Sequence, residues 1–193
     1  LINPSSTSKI ITNEGSISGS TIGTQYTNLY TYLTGSKVKA VCMNAMGDNP
    51  AGNTDNASIL LKYDDGSNAV INYFANGSKT YSKERVELYS QGRTVVLDNF
   101  LRTEAFGFNA FSRLKTSLDK GHKNQFYSVI KKVQQGGEPL ISFDSLINTS
   151  LASFAAIESL KERIGTQIIV EKLQNGESTI SLKSNGILKT LAV

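Results

Sequence analysis

The 193 residues include 39% hydrophobic and 19% charged side chains and only three prolines, a balance that excludes intrinsic disorder and leaves room for one full-sized hydrophobic core. No apolar run nears the ~20 residues that cross a bilayer, and no basic segment leading into an apolar stretch opens the chain. The net charge of +4 and pI near 9.1 come from scattered cations, densest at Lys83-Glu84-Arg85 and Lys131-Lys132, which argues against a nucleic-acid surface, where Lys and Arg gather on one face.

Residues 1–19, rich in Ser, Thr, Asn and Gly, predict an irregular lead-in. Because the chain begins at Leu1 rather than Met, either a processed N terminus or the end of a longer polypeptide is expected. From Thr21 to Leu33, Ile22, Tyr26, Leu29, Tyr30 and Leu33 recur at helical spacing, and Gly35 supplies a stop. Val38 to Met46 reads as a strand. Its Cys42 is expected to be a small buried hydrophobe, and a lone cysteine suits a reducing, cytoplasmic setting. Residues 48–53 read as a loop. Ser58–Tyr63 and Ala69–Phe74 flank Asp64-Asp65-Gly66-Ser67, a hairpin signal. Arg85–Tyr89 turns at Gln91-Gly92 into Thr94–Leu97, and Asn99–Ala105 and Phe111–Lys115 are weaker strand signals.

Helices return at His122–Gln134, with Phe126, Val129, Ile130 and Val133 as one apolar stripe closed by Gly136-Gly137. Another spans Phe143–Arg163, predicted to bury Ile147, Leu151, Phe154, Ala155 and Ile157 or Leu160. Gln167–Val170, Thr179–Leu182 and Ile187–Leu191 read as strands separated by Asn175-Gly176 and Asn185-Gly186. A run of strands with helices at both ends predicts an α+β domain: an open-faced, mainly antiparallel β-sheet with helices packed on one face. The other face then needs cover, such as a second copy.

The sequence holds no familiar catalytic or cofactor-binding motif. Gly15, Gly19 and Gly23 are spaced by four and follow no apolar strand, so they make no dinucleotide fingerprint, and there is no phosphate-binding Walker loop. One His and one Cys cannot assemble a usual zinc or iron site, so no metal is expected. His122, at a helix start, reads as exposed or capping rather than as part of a triad. Asp64 and Asp65 are explained by their turn, and the N-x-S/T matches at Asn56, Asn76 and Asn148 are short enough to arise by chance.

Five segments in order do carry a signal: Asp64-Asp65-Gly66-Ser67 with its strands, Glu84-Arg85-Val86-Glu87-Leu88-Tyr89-Ser90-Gln91-Gly92-Arg93, Asp119-Lys120-Gly121-His122-Lys123-Asn124-Gln125-Phe126, Gly136-Gly137-Glu138-Pro139-Leu140-Ile141, and Ala152-Ser153-Phe154-Ala155-Ala156-Ile157-Glu158-Ser159-Leu160. Together, over roughly Gly19–Arg163, they resemble the C-terminal domain of the glucose-fructose oxidoreductase and inositol dehydrogenase (Gfo/Idh/MocA) family, nearest to predicted dehydrogenases of bacterial surface-sugar synthesis. The resemblance implies a dihydrodipicolinate-reductase-like sheet domain that shapes a substrate pocket and an oligomer interface. It also implies an NAD- or NADP-binding Rossmann domain and a catalytic Lys that have no counterpart in this chain.

The first helix of that family's domain carries a D-x-G-x-H-x-x-D pattern whose His assists proton transfer. Here the matching stretch is Thr21-Ile22-Gly23-Thr24-Gln25-Tyr26-Thr27-Asn28. The His position is Gln25 and the second Asp position is Asn28. An amide hydrogen-bonds a hydroxyl but exchanges no proton near neutral pH. Gln25 and Asn28 either orient a sugar or are tolerated in a degenerate copy; the resemblance implies Thr21, Thr24, Gln25 and Asn28 as the substrate-binding candidates and no catalytic residue.

Two readings stay open. One is the substrate-binding and oligomerisation domain of an NAD(P)-dependent sugar or nucleotide-sugar dehydrogenase, inactive and cofactor-free alone. It would pair with itself through the sheet face and touch neither nucleic acid nor membrane. The other is a non-enzymatic binding or dimerisation module. The expected organisation is a lead-in at 1–19, the sheet domain at 20–163 and an added strand tail at 164–193, whose role has no account.

Overall fold

Alternating apolar and polar residues give each strand one face for a core and one for water. The computed structural model describes residues 9–14, 19–47, 50, 54–162, 166–172, 178–184 and 187–191, with side chains described over 25–47, 50 and 54–162. Its elements are β1 (Lys9–Glu14), α1 (Gly19–Thr34), β2 (Val38–Ala45), β3 (Asn56–Tyr63), β4 (Asn68–Phe74), β5 (Glu84–Ser90), β6 (Arg93–Asp98), β7 (Arg102–Phe106), β8 (Arg113–Lys115), α2 (His122–Gln135), α3 (Phe143–Glu162), β9 (Thr166–Lys172), β10 (Ser178–Ser184) and β11 (Ile187–Leu191). The strands form one sheet in the order β11-β10-β9-β2-β3-β4-β1-β5-β6-β7-β8. Among the described residues only the β1–β4 pair is parallel. The class is α+β, as the strand run predicts.

Two turns follow from their residues. Gly66 takes φ +88° in the β3–β4 turn, and Asp65 locks it by accepting from the Ser67 N–H and hydroxyl, each at 2.9 Å. Gln91 and Gly92 both sit at positive φ, 51° and 70°, the two-residue turn whose twist matches the flanking strands.

One face of the sheet buries Val41, Met43, Ile59, Leu61, Tyr63, Ala69, Ile71, Tyr73 and Val86 against Tyr26 and Tyr30 of α1 and Leu151, Ala152, Ala155 and Ala156 of α3. Helix α3 grips β2 as well as covering it. The Asn148 side chain bonds both backbone groups of Val38, and the Met43 N–H donates to Ser159 Oγ at 3.1 Å. Asn148 and Ser159 lie about 16 Å apart along a helix, as Val38 and Met43 do along a strand, so both contacts fall in register.

Several expectations are corrected. Residues 9–14 are no irregular lead-in but a strand between β4 and β5. Ile10 pairs with Ala69 and Leu88, so backbone pairing on both sides supplies what a short side-chain pattern does not signal. Asn99 and Phe100 are not strand; both take positive φ and form the β6–β7 turn. Cys42 is exposed, because a register shift between Val38 and Ala40 leaves Val41 and Met43 pointing inward and Cys42 outward. Phe154 is 61% exposed, since the buried face of α3 uses small residues that let the helix approach the sheet. The stripe of α2 exists, but α2 buries none of its residues. Most of the 48–53 loop and the Asn175-Gly176 and Asn185-Gly186 turns lie outside the described residues.

Candidate functional site

A helix packed along one side presents the other side to whatever comes next. On α1 the packed side is Tyr26, Thr27, Tyr30, Thr31 and Thr34, all buried. Helical spacing puts positions 25, 28 and 32 together on the opposite side. Of these, Gln25 is exposed, Asn28 is half-buried, and Tyr32 is 84% exposed. Of the expected substrate residues, Gln25 and Asn28 share that side, the side chains of Thr21 and Thr24 lie outside the described ones, and among the described residues no other element closes over Gln25 or Tyr32. Tyr32 completes the stripe with a ring and a hydroxyl. Sequence reasoning passed over it, although it stands seven residues past Gln25 and four past Asn28.

The base of α1 carries the least satisfied polar pair of the core. Thr31 Oγ1 and Tyr63 Oη are both buried without a hydrogen-bond partner of good geometry. Burial pushes the Tyr63 phenol well above its usual value, the neighbouring Thr31 hydroxyl opposing and Asp65 adding to the shift.

The open face of the sheet holds a second polar cluster. Glu87 accepts from Arg85 Nε at 2.7 Å and from the Tyr89 hydroxyl at 2.5 Å. The Tyr89 hydrogen bond above all holds its carboxyl below the usual range; burial opposes it, and the hydrogen bond and charge of Arg85 add to it. Beyond it, a shallow cleft of 340 Å³ at the β7–β8 edge is lined by Glu104, Ala105, Phe106, Ser112 and Arg113, with Arg113 paired to Glu104 at 3.1 Å. It contains none of the α1 residues.

His122 is exposed at the first position of α2, where Gly121 rather than a side chain caps the helix. Asn148 is buried in the contact with β2. Among the described residues no group of three or more His, Cys, Asp or Glu could hold a metal, and no helix is long and apolar enough to cross a membrane.

No family model matches the sequence, and no curated protein does. Solved structures do. Levoglucosan dehydrogenase, solved in complex with NADH, is 13% identical with a TM-score of 0.64, over 82% of this chain and 57% of that one. An aldose-aldose oxidoreductase from Caulobacter crescentus is 16% identical with a TM-score of 0.64, over 82% and 55%. A UDP-N-acetylglucosamine 3-dehydrogenase from Acidithiobacillus ferrooxidans is 10% identical with a TM-score of 0.63, over 79% and 53%. The fold is that of Gfo/Idh/MocA-type oxidoreductases. At these identities the likeness is one of fold, and the chain spans a little over half the length of the proteins it matches.

Proposed function

We propose that this chain is the substrate-binding and subunit-pairing half of an NAD(P)-dependent dehydrogenase acting on a sugar or nucleotide-sugar. Hydride transfer needs a nicotinamide held against the reacting carbon, and this half contributes the wall that orients the sugar. The reading is supported by one observation: Gln25 and Tyr32, seven residues apart on one side of α1, are open to solvent, with the half-buried Asn28 between them. Half a pocket looks like this before its other wall is added. Amides and hydroxyls suit the hydroxyl groups of a sugar because each donates and accepts. The proton exchange that Gln25 cannot perform falls to the missing half. NAD or NADP is held there too. Copies of the chain pair through the open sheet face around Arg85, Glu87 and Tyr89, in the cytoplasm, where the exposed Cys42 thiol stays reduced.

Kinetics of the protein joined with its dinucleotide-binding half test this, following NAD reduction across a panel of free sugars and UDP-sugars. Gln25→Ala and Asn28→Ala are expected to raise KM for the sugar about tenfold, the equivalent of one or two lost hydrogen bonds, and to leave KM for the nicotinamide unchanged. Wild-type kinetics in both variants would contradict the assignment.

The substitution of an amide for the family's His supports a second reading, a binding module without catalysis. Gln25→His separates the two. A gain in turnover marks a weakened enzyme site, and sugar binding without turnover in either form marks the module.

A further inference from the structure

Helix α1 carries three tyrosines with two fates. Tyr26 and Tyr30 lie in the core, their ring centroids 5.9 Å apart, whereas Tyr32 is 84% exposed. Seven residues fall about 20° short of two full turns, so Tyr32 stands almost in line with Gln25 and about 10 Å from it along the helix axis. The half-buried Asn28 lies between them. Two amides and an open ring face thus follow one another along one side of the helix.

That side is also free of charge. None of the 16 residues of α1 is acidic or basic, and the next cation along the chain, Lys37, is paired with Asp144 at 3.2 Å. Tyr32 stands in the last turn, where the unsatisfied backbone carbonyls of a helix place partial negative charge. A phosphate laid along α1 toward Tyr32 would meet no cation and the wrong end of the dipole. Neutral hydroxyl groups instead meet amides that both donate and accept. The C–H face of a pyranose suits the ring face of a tyrosine, whose hydroxyl stays in water. One pyranose ring cannot bridge about 10 Å, and two linked rings can.

We infer that Tyr32 is the platform for a second sugar ring. Resting on the function proposed above, this assigns the substrate class: a neutral disaccharide or longer oligosaccharide. Its reacting ring lies on Gln25 and Asn28, and its next ring stacks on Tyr32. A nucleotide-sugar is disfavoured, because its diphosphate would lie over the uncharged length of α1.

Paired kinetics test this on the native protein from its own cells, with each substitution placed at its own gene. Reduction of NAD and NADP is followed with glucose, galactose, maltose, cellobiose, lactose and UDP-glucose. In the wild type, kcat/KM is expected to be higher for at least one disaccharide than for its component monosaccharides and UDP-glucose. Tyr32→Ala should raise KM for that disaccharide about fivefold to tenfold, the worth of one aromatic-face contact. It should leave kcat, the monosaccharide KM and the melting temperature of the 193-residue chain unchanged. Tyr32→Phe keeps the ring face and should match the wild type. Equal losses on mono- and disaccharide, or equal losses in Tyr32→Ala and Tyr32→Phe, overturn the second-ring subsite. So does a wild type that prefers UDP-glucose or turns over no disaccharide. If Tyr32→Ala is silent while Gln25→Ala still raises the sugar KM, the subsite falls and the function stands. If no sugar or UDP-sugar is turned over at all, the function falls with it.

Discussion

Asn148 bonds both backbone polar groups of Val38, accepting from its N–H at 2.8 Å and donating to its carbonyl at 2.9 Å. All four atoms belong to buried residues, at the start of a strand whose pairing with β9 is confined to Ala40 and Val41. A helix side chain thus takes the place of a neighbouring strand.

Replacing Asn148 by Ala leaves a donor and an acceptor stranded away from water. Each such group costs roughly 1–3 kcal/mol, so Asn148→Ala is expected to lower stability by about 2–4 kcal/mol in urea unfolding, with the slope of the transition unchanged. A loss within 0.5 kcal/mol, about the effect of an ordinary surface change, would mean the contact is incidental.

The small residues of α3 set how closely it lies on the sheet. Ala155 is fully buried whereas its neighbour Phe154 is largely exposed. Ala155→Leu should therefore cost about 1–3 kcal/mol through overpacking, and Phe154→Ala less than about 0.5 kcal/mol. Thermal unfolding of the two variants side by side checks the contrast, which inverts what residue size alone would suggest.

Tyr63 makes stability depend on alkaline pH. Its phenol is raised by burial, so the folded state keeps the proton after the unfolded chain has lost it near pH 10. The contribution is complete below that pH and is lost as pH climbs from there through the folded value. Because Tyr63 Oη has no hydrogen bond of good geometry to lose, only the weak contact with the Thr31 hydroxyl, Tyr63→Phe should be close to neutral at pH 7 and should flatten the decline above pH 10, measured by urea unfolding across that range.

The isolated 193-residue chain should bind NADH weakly at best, since the nucleotide site is assigned to the other half. Calorimetric titration giving a micromolar dissociation constant would contradict that assignment.

The hairpins were legible because Asp65-Gly66 and Gln91-Gly92 are turn chemistry written in adjacent residues. Helix α1 was legible in its period, and the exposed Tyr32 is recoverable by extending helical spacing from Gln25. β1 was not legible, because two isoleucines among polar residues are too few to show a period, and its place depends on partners far along the chain. Cys42 was misread because an apolar run across an irregular register conceals which residues point inward. For α3, periodicity favours the largest apolar residue, Phe154, whereas close packing on a sheet selects alanine and serine. The stripe on α2 was read correctly as a pattern; a pattern says that a face wants cover, not that the same chain supplies it.

The central claim, that this chain works as half of a dehydrogenase, is tested most directly by isolating the native species from its own cells with an antibody against these residues and determining its mass and peptides. The account predicts a species larger than 20.9 kDa that contains a dinucleotide-binding body, either on the same polypeptide or held in a stable complex. A species made only of this 193-residue chain, alone or paired with its own copies, would contradict it.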